Sequence, residues 1–161
     1  MKKKETKEEA VAFYLPTYKE IPSVGLYLDQ TSKYINECLT DLPDVELTNS
    51  MISNYVKKHL IANPIKKQYG RDQIACLLFI ALTKNALTLD DVAGLFELQK
   101  SRYSIEESYV FFAENFNEAY NDFENFKNNE TEEKGLLKDV ILNVVSNFRL
   151  RKKLSDTLKE K

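Results

Sequence analysis

Between Asn49 and Arg71 the chain carries five cations, Lys57, Lys58, Lys66, Lys67 and Arg71, and no carboxylate, while the whole chain has a formal charge of −2. Cations with no acids among them attract a polyanion, so the chemistry of such a stretch is the holding of phosphates. The window reads NSMISNYVKKHLIANPIKKQYGR. In its first half Ser50, Ser53, Asn54 and Lys57 fall at i, i+3, i+4 and i+7, which on a helix makes one polar ridge ending in lysines. Ile52, Val56 and Leu60 recur every four residues and mark the opposite, buried stripe. Short hydrogen-bonding side chains backed by cations suit a helix in the major groove, where Asn reads an adenine edge while Ser and Lys hold phosphates. Composition alone fits a solvated helix face equally well.

The elements that must position this ridge are helices. With only four glycines and four prolines, long 3.6-residue periods and few alternating runs, the chain is expected to be all-α. Leu15 to Gly25 reads as an extended lead-in, and a first helix is expected over about 27–39, presenting Leu28, Thr31, Ile35 and Leu39 on one side. Residues 41–47, with Pro43, form a loop, and Thr48 caps a second helix opened by Asn49 and running to about His59. A turn at Pro64 with Lys66 and Lys67 makes a small basic wing before an apolar helix containing Ile74, Leu77, Leu78 and Ile80 to Leu82. Thr88-Leu-Asp-Asp91 is a capping box with Asp for the usual Glu, opening a helix to about Leu98.

Ser104-Ile-Glu-Glu107 opens a further long helix, along which Tyr109, Phe112, Phe116, Ala119, Phe123 and Phe126 are spaced by 3, 4, 3, 4 and 3. After the polar break NNETEEKG comes a helix with Leu137, Val140, Ile141, Val144, Val145 and Phe148, and then the basic end RLRKK. These two helices are expected to fold back as a C-terminal antiparallel helical hairpin. Tyr109, Phe112, Phe116, Phe123 and Phe126 then have three readings: a dimer interface, the core of one chain, or the wall of a pocket for an apolar small-molecule effector. The last is unsupported, because nothing polar in the stripe orients a ligand.

Charge divides the chain: residues 1–46 carry −3, 47–87 carry +5, 88–133 carry −9 and 134–161 carry +5. The acidic middle leaves the basic window as an attractive face on a chain of low net charge. No stretch approaches the roughly 20 apolar residues that span a bilayer, and MKKKETKEEA has no apolar core after its lysines, so neither membrane contact nor a signal peptide is expected. Cys38 and Cys76 sit in apolar helical patterns without metal-site spacing and read as reduced core residues of a cytoplasmic protein. A single histidine, no Gly-rich phosphate loop, no GxSxG and no HExxH leave no enzymatic site, no metal and no cofactor to expect. Asp90 and Asp91 sit at a helix start, where capping accounts for them.

The run ISNYVKKHLI at 52–61 resembles the LRYYERIGLL-type segment of MerR regulators, the mercury-resistance transcription factor family. YGRDQIACLLFI at 69–80 is similar to that family's YSEEDLARLRFI-type helix, and LTLDDV at 87–92 to its FSLEEI, in the same order over about 48–96. The whole chain, including LPTYKEIP, LYLDQ, NYVKK and PIKKQY, resembles bacterial proteins grouped as domain-of-unknown-function family 1836. Both resemblances imply a MerR-like winged helix-turn-helix that binds double-stranded DNA. They imply DNA-facing Ser53 and Asn54, a packing and phosphate-contacting Tyr55, and a wing made by Lys66 and Lys67. Ser53 stands where the family has arginine, and His59 where it has a helix-ending glycine, which makes His59 a strained left-handed residue rather than a catalytic one. The loop at 40–47 is longer than the family's tight turn.

The expected organisation is therefore a flexible N-terminus at 1–14, a winged helix-turn-helix at 15–98 and a dimerising hairpin at 104–158. The expected function is that of a dimeric, sequence-specific transcriptional regulator, a repressor, reading the major groove with helix 49–59. Asn49, Ser50, Ser53, Asn54, Tyr55, Lys57, Lys58, Lys66, Lys67 and Arg71 form its DNA-binding set. The competing reading is a protein-interaction adaptor with the same fold that does not bind DNA.

Overall fold

Reciprocal caps set the helix starts. In the computed structural model, which describes residues 12–160, Thr48 Oγ1 accepts from the Met51 N–H at 3.1 Å. Thr88 and Asp91 cap each other, as do Ser104 and Glu107. The resulting helices are α1 (Leu28–Cys38), α2 (Asn49–Lys57), α3 (Arg71–Thr83), α4 (Leu89–Lys100), α5 (Ile105–Asn121) and α6 (Glu132–Lys159). A 3₁₀ turn, Tyr18–Glu20, precedes them. The described residues are thus all-helical, apart from two isolated antiparallel bridges, Leu26 with Tyr69 and Ile65 with Gln68.

A helix that is apolar all round must be buried, and α3 is that helix. Nine of its residues, Ile74, Ala75 and Leu77 to Thr83, are buried, and α1, α5 and α6 pack against it. The expected inner face of α1 forms through Thr31, Ile35 and Leu39, with Leu28 half-buried. Thr31 tolerates full burial because its hydroxyl donates to the Tyr27 carbonyl at 2.9 Å.

Two expectations for the C-terminal half are corrected. First, α5 stops at Asn121, so Phe123 and Phe126 lie beyond it on the connection to α6. Asp122 leaves helical geometry at φ −144°, and its carboxylate accepts from Asn125 at 3.0 Å, which turns the chain. Second, α5 and α6 run in the same direction and do not form an antiparallel hairpin. Arg102 pairs with Glu132 and Glu133 at the start of α6, whereas Phe116 meets Phe148 and Glu124 meets Arg149 much further along it. The ten residues 122–131 can span ~33 Å when extended, and the 17-residue α5 is only ~25 Å long. The connection therefore runs back along α6: Phe126 lies under the Lys138 ammonium at 5.3 Å, and Asn128 donates to the Gly135 carbonyl at 2.8 Å. Gly135 permits that approach, since a Cβ there would stand 2.7 Å from the Glu130 carbonyl oxygen.

The N-terminal segment read as flexible, 1–14, lies outside the described residues up to Val11. Its last residues are fixed. Asn121 accepts from the Phe13 N–H at 3.2 Å and donates to the Phe13 carbonyl at 2.8 Å, Asn117 accepts from the Leu15 N–H at 2.9 Å, and the Tyr109 hydroxyl donates to the Pro16 carbonyl at 2.7 Å. This stretch of chain lies along α5 and buries Phe13 and Leu15.

Candidate nucleic-acid interface

α2 is held to α1 by side chains that replace a tight turn. Asn36 of α1 donates to the Leu47 carbonyl at 2.9 Å and accepts from the Leu47 N–H at 2.8 Å, a paired contact that anchors the end of the long loop. Leu42, Val45 and Leu47 are buried along that loop. At the start of α2, Asn49 accepts from the Ser32 hydroxyl at 2.6 Å and donates to the Asp29 carboxylate. Asn49, expected to face DNA, is therefore spent on the α1–α2 joint.

Below that joint α2 divides as its pattern demands, with one change. Ile52 and Tyr55 are its buried residues, Tyr55 only 4% exposed, while Val56 and Leu60 are half-buried. Burial raises the Tyr55 hydroxyl above its ordinary 10.0, and the ring packs the helix down as its packing role requires. Ser50, Ser53, Asn54, Lys57 and Lys58 are exposed on the other side. The helix ends at Lys58 in a Schellman motif: the Leu60 N–H bonds the Tyr55 carbonyl at 2.9 Å and the His59 N–H bonds the Val56 carbonyl at 3.0 Å. His59 takes the left-handed position at φ 58°.

The next five residues lead to a two-residue hairpin. Ile65 and Gln68 exchange both backbone hydrogen bonds at 3.0 Å, with Lys66 at φ 51° and Lys67 at φ 64° between them. Two positive φ values at the centre are the type I′ pattern, which Asn and Gly adopt with less strain than lysine does. Tyr69 then pairs with Leu26, its N–H bonding the Leu26 carbonyl at 2.7 Å and its carbonyl accepting in return at 3.0 Å. Gly25 allows this pairing, because a Cβ there would lie 2.7 Å from the Gln68 Cβ. Gln73 fixes the other side by donating to the Ala62 and Asn63 carbonyls, each at 2.9 Å. The hairpin is thus braced at its base while both lysines stand exposed at its tip, beside an Ile65 that is 77% exposed.

Arg71 departs from the expected set. Its Nε donates to the Ile21 carbonyl at 2.8 Å, its terminal nitrogen donates to the Lys19 carbonyl at 3.1 Å, and the guanidinium lies 5.3 Å from the centre of the Tyr18 ring. It ties the N-terminal segment to α3 and is not a free cation. Tyr18 completes the clasp, donating to Asp72 at 2.6 Å; burial and that carboxylate push its hydroxyl up to about 12. Among the described residues, Lys57, Lys58, Lys66 and Lys67 have no ion pair, whereas Arg102, Arg149 and Arg151 are paired with carboxylates. Four uncompensated lysines and the Ser50, Ser53 and Asn54 face make up the surface that remains.

The aromatic seam lies inside the chain. Tyr109, Phe112, Phe116 and Phe126 are buried, and Phe116, with no exposed surface, touches the rings of Phe13, Phe112, Tyr120 and Phe148 at centroid distances of 6.2, 5.8, 6.0 and 6.5 Å. Phe123 is half-buried under the Arg149 guanidinium, 4.7 Å from its ring centre. These rings are core, which corrects their reading as a dimer interface: the parallel α6 covers the face that a second copy was expected to cover. Besides Ile105, Val110 and Leu136, the exposed large apolar residues described in this half are Leu150, Leu154 and Leu158, four residues apart on the last turns of α6. Their spacing in RLRKKLSDTLK was the available signal.

No helix of the described residues is long and apolar enough to cross a membrane. The family model described as Domain of unknown function (DUF1836) matches residues 16–123, from the segment laid along α5 to the end of that helix. No curated protein and no solved structure matches the chain.

Proposed function

We propose that this chain, which belongs to the DUF1836 family on that match, is a cytoplasmic, sequence-specific DNA-binding regulator, a repressor, with a MerR-like winged helix-turn-helix. In this reading α1 and α2 are the two helices of the motif, the hairpin at 65–68 is the wing, and α2 enters the major groove. Ser53 and Asn54 face base edges, Ser50, Lys57 and Lys58 meet phosphates near the ends of the helix, and Lys66 and Lys67 reach the neighbouring backbone. The observation that carries the reading is the hairpin tip. Two adjacent lysines hold a conformation that favours Asn-Gly, exposed and without acidic partners, and local strain of this kind concentrates where the side chains are needed for binding.

A DNA reader of this type works as a dimer on two half-sites. Leu150, Leu154 and Leu158 are the surface that supports it, since an antiparallel pair of α6 tails centred on Leu154 sets Leu150 against Leu158. An adaptor that held a partner through the rings of α5 draws no support from their burial. Replacing Lys57 and Lys67 by Glu tests the assignment. Duplex binding is expected to vanish while the thermal unfolding temperature stays put, because both side chains are exposed and unpaired; unchanged affinity would remove the site.

A further inference from the structure

Behind α2 lies a cavity of about 490 Å³ that the binding surface does not use. It opens between the chain leaving α2, at His59 to Asn63, and the inner sides of α3, α4 and α5. Small side chains leave room for it: Ala75 and Cys76 from α3 and Ala93 from α4 line its wall. Ligand sites occupy ~300–1,000 Å³, so this cleft is of a size to take a small molecule.

The walls specify its chemistry. The half-buried Phe96 and Tyr103 offer ring surface, backed by the buried Phe79 at 5.6 Å from Phe96 and Phe112 at 4.8 Å from Phe79, both pairs inclined, so a flat ring system finds aromatic wall to pack on. Burial pushes the Cys76 thiol up to about 12, which leaves it a neutral, apolar part of the wall. Charge appears only at the exposed rim, where Glu97 and Lys100 stand one turn apart on α4 with opposite signs. Asn63 and Ser108 supply hydrogen-bonding groups without charge. An occupant would touch α5 on one side and the His59–Asn63 segment on the other, and that segment joins α2 to the hairpin.

We propose that this cavity binds an uncharged, ring-bearing small molecule, and that its occupancy alters the affinity of the α2 and hairpin surface for DNA; the second half rests on the DNA reading above. The uncharged fused-ring fluorophore N-phenyl-1-naphthylamine is a suitable probe, titrated into the full chain without DNA. Saturable enhancement at one site per chain is expected. Ala93→Leu, which extends into open space and leaves the unfolding temperature unchanged or raised, should abolish it, while Leu154→Asp on the distant α6 stripe should not. No saturable signal, or wild-type binding by Ala93→Leu, overturns the site. With the probe saturating, duplex affinity should shift by ~5-fold or more, and an unchanged affinity overturns the regulatory half. Because the fluorophore titration contains no DNA, failure of the cavity and failure of duplex binding are read separately.

Discussion

Replacing Lys66 by Asn and Lys67 by Gly should make the protein more stable and a weaker DNA binder at once. Both lysines sit at positive φ, 51° and 64°, in a two-residue turn closed by hydrogen bonds on each side. Left-handed backbone costs an L-residue with a Cβ ~1 kcal/mol or more, and Asn-Gly is the pair that the type I′ turn prefers. Relief at two positions is offset in part by the ~0.5–1 kcal/mol that glycine loses in chain entropy, leaving a net gain of ~1 kcal/mol. For a chain of this size that raises the melting temperature by ~2–4 °C. A dimer loses four cations in the same variant, so the slope of log affinity against log salt should become shallower by ~3.6 if each lysine neutralises one phosphate. Calorimetric or circular-dichroism melts and a salt series of fluorescence anisotropy measure the two effects on one preparation. A lower melting temperature would refute the strain argument, and an unchanged slope would show that the lysines touch no phosphate.

Phe116→Ala, at a fully buried ring contacted by four others, should cost ~3–5 kcal/mol in denaturant unfolding; a change in oligomeric state without loss of stability would return the seam to an interface. Leu154→Asp should yield a folded monomer by analytical ultracentrifugation, and a dimer that survives it would move the interface off the α6 stripe. Stability should also fall in alkali. Cys76 is held at about 12 against an ordinary 9.0, and Tyr109 is raised by burial, so above pH 9 the unfolded chain releases protons that the folded chain retains. That stabilisation is complete below pH 9 and is lost as pH rises towards 12; melting temperatures that stay flat from pH 8 to 11 would contradict the burial.

Local chemistry was readable from the residues. Thr48, Thr88 and Ser104 cap their helices because each needs only a partner three residues on, and His59 takes the left-handed end position through bonds spanning five residues. The polar ridge of Ser50, Ser53, Asn54 and Lys57 follows from helical period alone. What escaped depends on distant partners. Arg71 and Asn49 look like free polar groups until Ile21 and Asp29, 50 and 20 residues away, engage them. The ring spacing continues past the end of α5 because periodicity reports burial, and Phe126 is buried on an extended return segment as fully as on a helix. The parallel course of α6 is set by a connection long enough to run back, which hydrophobic pattern does not encode. The cavity is a sum of small residues on separate helices, none notable by itself.

The most direct test of DNA reading is anisotropy of the purified protein against the duplex upstream of its own gene and a scrambled duplex of equal length, each across a salt series. Tight binding that favours the upstream duplex and weakens steeply with salt is the expected result. Absence of binding to either duplex at low salt would contradict it.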